Sequence, residues 1–144
     1  RTAWSRCTAR AMSTTPDDID SETTRALDAL RAREPLFHRP EFGTTRADFE
    51  AMIVDDFWET GASGRRYDRA FVLDTLEARH AQAHEDPWQT SEFRCRALGA
   101  RTWLLTYTLR QGERLSRRMT LWREGDDGWR ALYHQGTLVQ EAES

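Results

Sequence analysis

The chain has 144 residues, 38% of them hydrophobic and 31% charged, with a formal charge of −3. That is enough for one domain with a real core, and six Trp and six Phe argue against disorder. A mildly acidic chain has no bulk attraction for nucleic acid, and no stretch approaches the roughly 18 apolar residues of a membrane span, so neither partner is expected.

All 21 basic residues are arginine, which excludes lysine Schiff-base chemistry and a P-loop lysine. The cysteines, Cys7 in a tail and Cys95 in a predicted strand, do not make a disulfide framework. That fits a reducing, cytoplasmic setting. Residues 1–23 read as a disordered tail. The opening "RTAWSRCTARAM" carries charge but lacks the apolar region of a secretory signal, and Met12 opens a more natural beginning, so residues 1–11 read as upstream sequence.

One domain is expected over residues 24–139, followed by a short tail, 140–144. A helical pattern starts at Thr24, with Leu27, Leu30 and then Glu34, Leu36 and Phe37 at spacings near a helical turn, and Pro35 ends the first run. "HRPEFGTT" is a loop. Thr45 with Asp48 makes a capping pair for a helix whose apolar face is Phe49, Met52 and Ile53. A short strand over Phe57–Thr60 leads into the tight turn "GASGRRY", and Asp68 caps a further helix, "RAFVLDTLEARHAQ". After Pro87 the pattern is all strand. Trp88–Leu98, "RTWLLTYTLRQ", "RLSRRMTLWRE" and "GWRALYHQGT" are joined by turns at "GE" and "GDDG". Helices followed by a four-stranded meander predict an α+β fold, a curved sheet with helices on one side.

Strand alternation sorts the faces. Trp103, Leu105, Tyr107 and Leu109 should face the helices, with Thr106, Thr108 and Arg110 outside. On the next strand both faces are mixed. On the last, Trp129, Ala131, Tyr133 and Gln135 oppose Arg130, Leu132 and His134, and either set takes a polar group inward.

Three pieces, "REPLFHRPEFGTTRADFEAMIVDDFWETGASGRRYDR", "TWLLTYTL" and "SRRMTLWREGDDGWRALYHQGT", resemble the nuclear transport factor 2-like superfamily. This is the cone-shaped α+β fold shared by ketosteroid isomerase and SnoaL-like cyclases. Within it the chain is most similar to domain-of-unknown-function family 4440, over roughly residues 24–138. The resemblance implies a cystatin-like cone, a strongly curved and mostly antiparallel sheet wrapped around N-terminal helices. It also implies a pocket between sheet and helices, and a homodimer through the outer sheet face. It does not imply one reaction.

The position where the isomerases carry their base falls on Gly61, which speaks against that reaction. Glu59, two residues earlier on the same strand face, is the alternative base or a rim residue. His134, on an aromatic strand, is the candidate general acid or base, or else a hydrogen-bonded core histidine. Trp58, Tyr67, Trp103 and Trp122 would line the cone or fill it. Tyr107, Arg118, Tyr133 and Gln135 complete the expected ligand-binding set. If Arg117 or Arg118 points inward, it is a buried cation that requires an anion, which favours a carboxylate or phosphate ligand. Asp55 and Asp56 point to opposite faces and read as a turn or cap. His80 and His84 share a helix face but have no third ligand, so no metal site and no cofactor are expected. Three functions stay open. The first is a small-molecule binder of unknown ligand. The second is an acid–base enzyme using His134 or Glu59. The third is an interaction module with its cone closed by its own aromatics.

Overall fold

The computed structural model describes residues 16–80 and 87–140. Helix α1 spans Pro16–Arg31, a 3-10 turn spans Pro40–Phe42, and helix α2 spans Arg46–Ala51. Strands β1 (Ile53–Thr60) and β2 (Arg66–Asp68) precede helix α3 (Arg69–His80). The meander is β3 (Gln89–Gly99), β4 (Thr102–Gln111), β5 (Arg114–Gly125) and β6 (Gly128–Leu138). The six strands form one sheet in the order β2-β1-β6-β5-β4-β3. Only β1 against β6 is parallel.

Three boundaries differ from the expectation. Helix α1 begins at Pro16, eight residues before Thr24, inside the stretch read as a disordered tail. Proline suits a first helical turn, so a polar composition hid a good helix start. Helix α2 stops at Ala51, and Ile53 opens β1 rather than extending the helix face. The stretch read as a turn contains β2, which folds back on β1 with Tyr67 opposite Glu59.

Both predicted caps form. Thr45 Oγ1 accepts from the Asp48 amide at 3.2 Å while the Asp48 carboxylate accepts from the Thr45 amide at 3.0 Å. Asp68 Oδ1 accepts from the Phe71 amide at 2.8 Å and starts α3. Helix α1 packs Ala26 and Leu30 against the concave sheet face, where Phe49, Ile53, Phe57, Leu73, Leu105 and Trp122 are also buried. Each such large side chain stabilises the fold by roughly 1.5–3 kcal/mol. Beyond α1 the chain turns back under Arg39, whose guanidinium donates to the Glu34 carbonyl at 2.9 Å and the Arg31 carbonyl at 3.3 Å. This turn places the Glu34 side chain inside the cone, with no solvent exposure.

The inward face of β4 is as expected, Trp103, Leu105, Tyr107 and Leu109, and on β5, whose faces the sequence left open, Ser116, Thr120 and Trp122 are buried. Strand β6 changes face midway. Trp122 pairs with Ala131 but Leu121 pairs with Tyr133, so Leu132 is an extra residue. Trp129 and Ala131 point inward before this bulge, and His134 and Gly136 point inward after it. No helix among the described residues is long and apolar enough to cross a membrane.

Candidate functional site

The concave sheet face, the 35–38 loop and α3 enclose a cavity of about 590 Å³. Its floor is built by register. Across the sheet, Glu59 on β1 lies beside His134 on β6, which lies beside Thr120 on β5. Two residues further along, Gly136 lies beside Arg118, which lies beside Tyr107 on β4. The walls are Leu36, Phe37, Val72 and Leu76, and Tyr67 stacks on Phe71 at the mouth with ring centroids 4.9 Å apart.

Two polar groups sit at the bottom of this cone. The Glu34 carboxylate accepts from Tyr107 Oη at 2.8 Å, from the Leu36 amide at 2.8 Å and from Trp122 Nε1 at 3.0 Å. Thr120 adds a hydroxyl contact to it. Burial pushes the Glu34 pKa up, and these donors pull against that rise. Burial, and then the Glu34 charge, drive the Tyr107 phenol well above its ordinary value, so it stays a neutral donor.

His134 is buried as well, but it lines the cavity. Its Nδ1 is 2.7 Å from Thr120 Oγ1, and its Nε2 is 3.4 Å from an Arg118 terminal nitrogen. Arginine only donates, so Nε2 is the acceptor and the ring proton sits on Nδ1, donating to Thr120. Burial, and then the Arg118 charge, lower the His134 pKa from 6.5 to about 3. The ring is therefore neutral at physiological pH with both nitrogens engaged. This is the arrangement of a hydrogen-bonded core histidine, whose one ring proton, on Nδ1, is already donated to Thr120.

Arg118 lies across the floor because Gly136 has no side chain. A Cβ on Gly136 would stand 3.1 Å from both Nε and Cζ of Arg118. The guanidinium donates through Nε to Ser116 Oγ at 2.9 Å and through one terminal nitrogen to His134. Among the described residues its other terminal nitrogen has no partner, and no carboxylate forms an ion pair with it. Burial lowers its pKa, with Glu59 and Glu34 opposing through space. Arg118 therefore meets the condition for a cation that requires an anion, whereas Arg117 points outward and pairs with Glu92 at 2.8 Å.

Glu59 also lines the cavity, and no donor among the described residues reaches its carboxylate. Burial raises its pKa, against the pull of Arg118 and Arg79. Gly61 lies at the mouth, where a Cβ would meet the Tyr67 ring at 3.2 Å. The ring occupies the space that a base at Gly61 would need.

Of the remaining expected residues, Tyr67 and Tyr107 line the cavity. Trp103 and Trp122 are core residues outside the lining, and Trp122 acts on the site only through Glu34. Trp58, Tyr133 and Gln135 do not face the cavity. Trp58 is 48% exposed on the outer face, against Tyr133 with ring centroids 4.8 Å apart. Tyr133 Oη donates to Gln135 there at 2.6 Å. The cone is thus not closed by its own tryptophans. Asp55 and Asp56 are exposed on β1. His84 lies outside the described residues, and among those described no group of three or more His, Cys, Asp or Glu is placed to hold a metal ion. Cys95 is a half-buried thiol whose pKa burial raises, the opposite of an activated nucleophile. Glu34 was missed as a site residue. Its only sequence signal is an acid between two apolar runs, next to proline.

Solved structures share this architecture. An uncharacterised protein with a cystatin-like fold from Caulobacter vibrioides superposes with a TM-score of 0.62 at 18% identity, covering 83% of this chain and 91% of its own. The chain has the cystatin-like, nuclear transport factor 2-like fold. A nuclear transport factor 2-like protein from Cytophaga hutchinsonii gives a TM-score of 0.61 at 12% identity over 88% of this chain and 100% of its own. Another, from Streptomyces avermitilis, to which a dehydratase activity has been ascribed, gives 0.64 at 17% identity over 88% and 100%. At such identities the likeness is one of fold. No family model and no curated protein matches the chain.

Proposed function

We propose that this protein binds a small organic acid, with Arg118 as the counter-charge. One observation carries the proposal: a half-buried guanidinium lies across the floor of a cavity of about 590 Å³, and among the described residues one terminal nitrogen has no partner and no carboxylate forms an ion pair with it. Such a volume is typical of small-molecule sites. A desolvated cation is costly until an anion meets it, and a carboxylate can do so bidentately. The neutral His134 supports this use of Arg118, since it accepts a hydrogen bond without competing as a counter-ion. Titration calorimetry with phenylacetate and its uncharged amide tests the proposal. Phenylacetate should bind more tightly, and Arg118→Gln should bring it down to the level of phenylacetamide. Equal binding of acid and amide by the wild-type protein would sink the proposal.

A second reading is supported by one feature, the Glu59 carboxylate in the same cavity with its pKa raised by burial. A carboxylate so placed can act as a general base toward a substrate held by Arg118. The dehydratase activity ascribed to the Streptomyces avermitilis protein is of this acid–base class. Proton exchange at a carbon of the bound acid, followed by NMR in deuterated water and lost in Glu59→Gln, would establish it. Unchanged exchange in that variant would remove Glu59 from the chemistry.

A further inference from the structure

We infer that the ligand is a hydroxy acid, its acid group held by Arg118 and its hydroxyl donating to Glu59. The inference rests on anion binding at Arg118 and adds what the opposite side of the cavity requires. Glu59 and Arg118 project into one space from strands separated by β6. They act on each other only through space, without a hydrogen bond. An arginine is long enough to seek such a partner. Its side chain is instead laid over Gly136 and tied to Ser116 and His134, which keeps the two charges apart. What fills the gap must offer an acceptor to Arg118 and a donor to Glu59, because a desolvated carboxylate without a donor is as costly as a cation without an anion.

The charge balance selects the kind of donor. Among the described residues Arg79, Arg114 and Arg118 line the cavity against Glu59 as the single lining acid, with Glu34 buried beneath the floor. His134 is neutral there. An ammonium on the ligand would add positive charge to a wall that already carries an excess of it. A hydroxyl donates the same hydrogen bond and adds none. The apolar wall of Leu36, Phe37, Val72 and Leu76 leaves room for a hydrocarbon or ring body.

Mandelate and phenylacetate differ only by the hydroxyl, so titration calorimetry of both against the full chain is the test. The wild-type protein should bind mandelate about tenfold more tightly, the ratio expected for one hydrogen bond to a charged acceptor. In Glu59→Leu the ratio should fall to about one, while Glu59→Gln, which keeps a neutral acceptor, should retain part of it. Equal binding of the two acids by the wild-type protein, with both lost in Arg118→Gln, would overturn the hydroxy-acid assignment and leave anion binding standing. A preference for mandelate that survives Glu59→Leu would overturn the role of Glu59. Binding of neither acid, or binding indifferent to Arg118→Gln, would overturn anion binding itself and the hydroxy-acid assignment with it.

Discussion

His134 provides a test of the cone's interior that needs no ligand. In the folded protein it stays neutral until the pH falls to about 3, whereas in the unfolded chain it takes up a proton near 6.5. Below 6.5 the unfolded state therefore binds more protons than the folded one, so stability is present above that pH and drains away as the pH falls toward 3. One pKa unit corresponds to about 1.36 kcal/mol, so at about pH 5, some 1.5 units below the unfolded value, the loss from this residue alone is about 2 kcal/mol. Glu34 has the opposite sign. Its pKa is raised on folding, so its contribution is full below its unfolded value and is lost as the pH rises through the folded one. Other groups titrate as well, so the useful quantity is a difference between two proteins. His134→Gln cannot titrate there, yet offers a donor to Thr120 and an acceptor to Arg118. Urea unfolding followed by tryptophan fluorescence, at about pH 8 and again at about pH 5, should show the wild-type midpoint falling by about 1 M more than that of the variant. Parallel pH dependence in the two proteins would mean that His134 is solvated or charged. The tautomer argument, and with it the anchoring of Arg118, would then be wrong.

Gly136→Ala places a methyl group 3.1 Å from Arg118 Nε and Cζ, so the guanidinium must shift by a few tenths of an ångström. Phenylacetate affinity should fall about tenfold with the melting temperature nearly unchanged, checked by calorimetry in parallel with thermal unfolding. Glu34→Gln puts an amide donor among the hydroxyl, indole and backbone donors that the carboxylate now accepts, and should cost about 2–4 kcal/mol in urea unfolding. Trp58→Ala and Tyr133→Phe lie on the outer face and should leave phenylacetate affinity within about twofold of wild type by the same calorimetry.

Much of the architecture was legible because it rests on short-range chemistry. Thr45 and Asp68 cap helices where the pattern places them. Two of the meander's joints, "GE" and "GDDG", carry turn residues, and the alternation of β4 puts Trp103, Leu105, Tyr107 and Leu109 on one face. The start of α1 was hidden because a helix terminus rich in acids has the same composition as a disordered lead-in, and only Pro16 distinguishes them. Strand β2 is short and pairs only with β1, so it leaves almost no periodicity to read.

The site was less legible, and strand β6 shows why. Strict alternation puts Tyr133 and Gln135 on the same face as Trp129 and Ala131. The extra residue at Leu132 reverses the faces after it, so the same strand sends two apolar residues into the core at one end and His134 with Gly136 into the cavity at the other. No local feature of "RALYHQG" announces that reversal. It follows from the pairing of β5, whose Thr120 and Arg118 need partners at those two positions. Glu34 was hidden for a related reason, since its four donors come from β4, β5 and its own loop, up to 88 residues away. A residue whose role depends on long-range partners carries no motif of its own. The inward arginine was the one site feature that could be stated in advance as a condition, because the cost of burying a charge holds whatever the fold. Register turned Arg118 inward with no ion-paired carboxylate among the described residues, and the proposed anion is the answer to that cost.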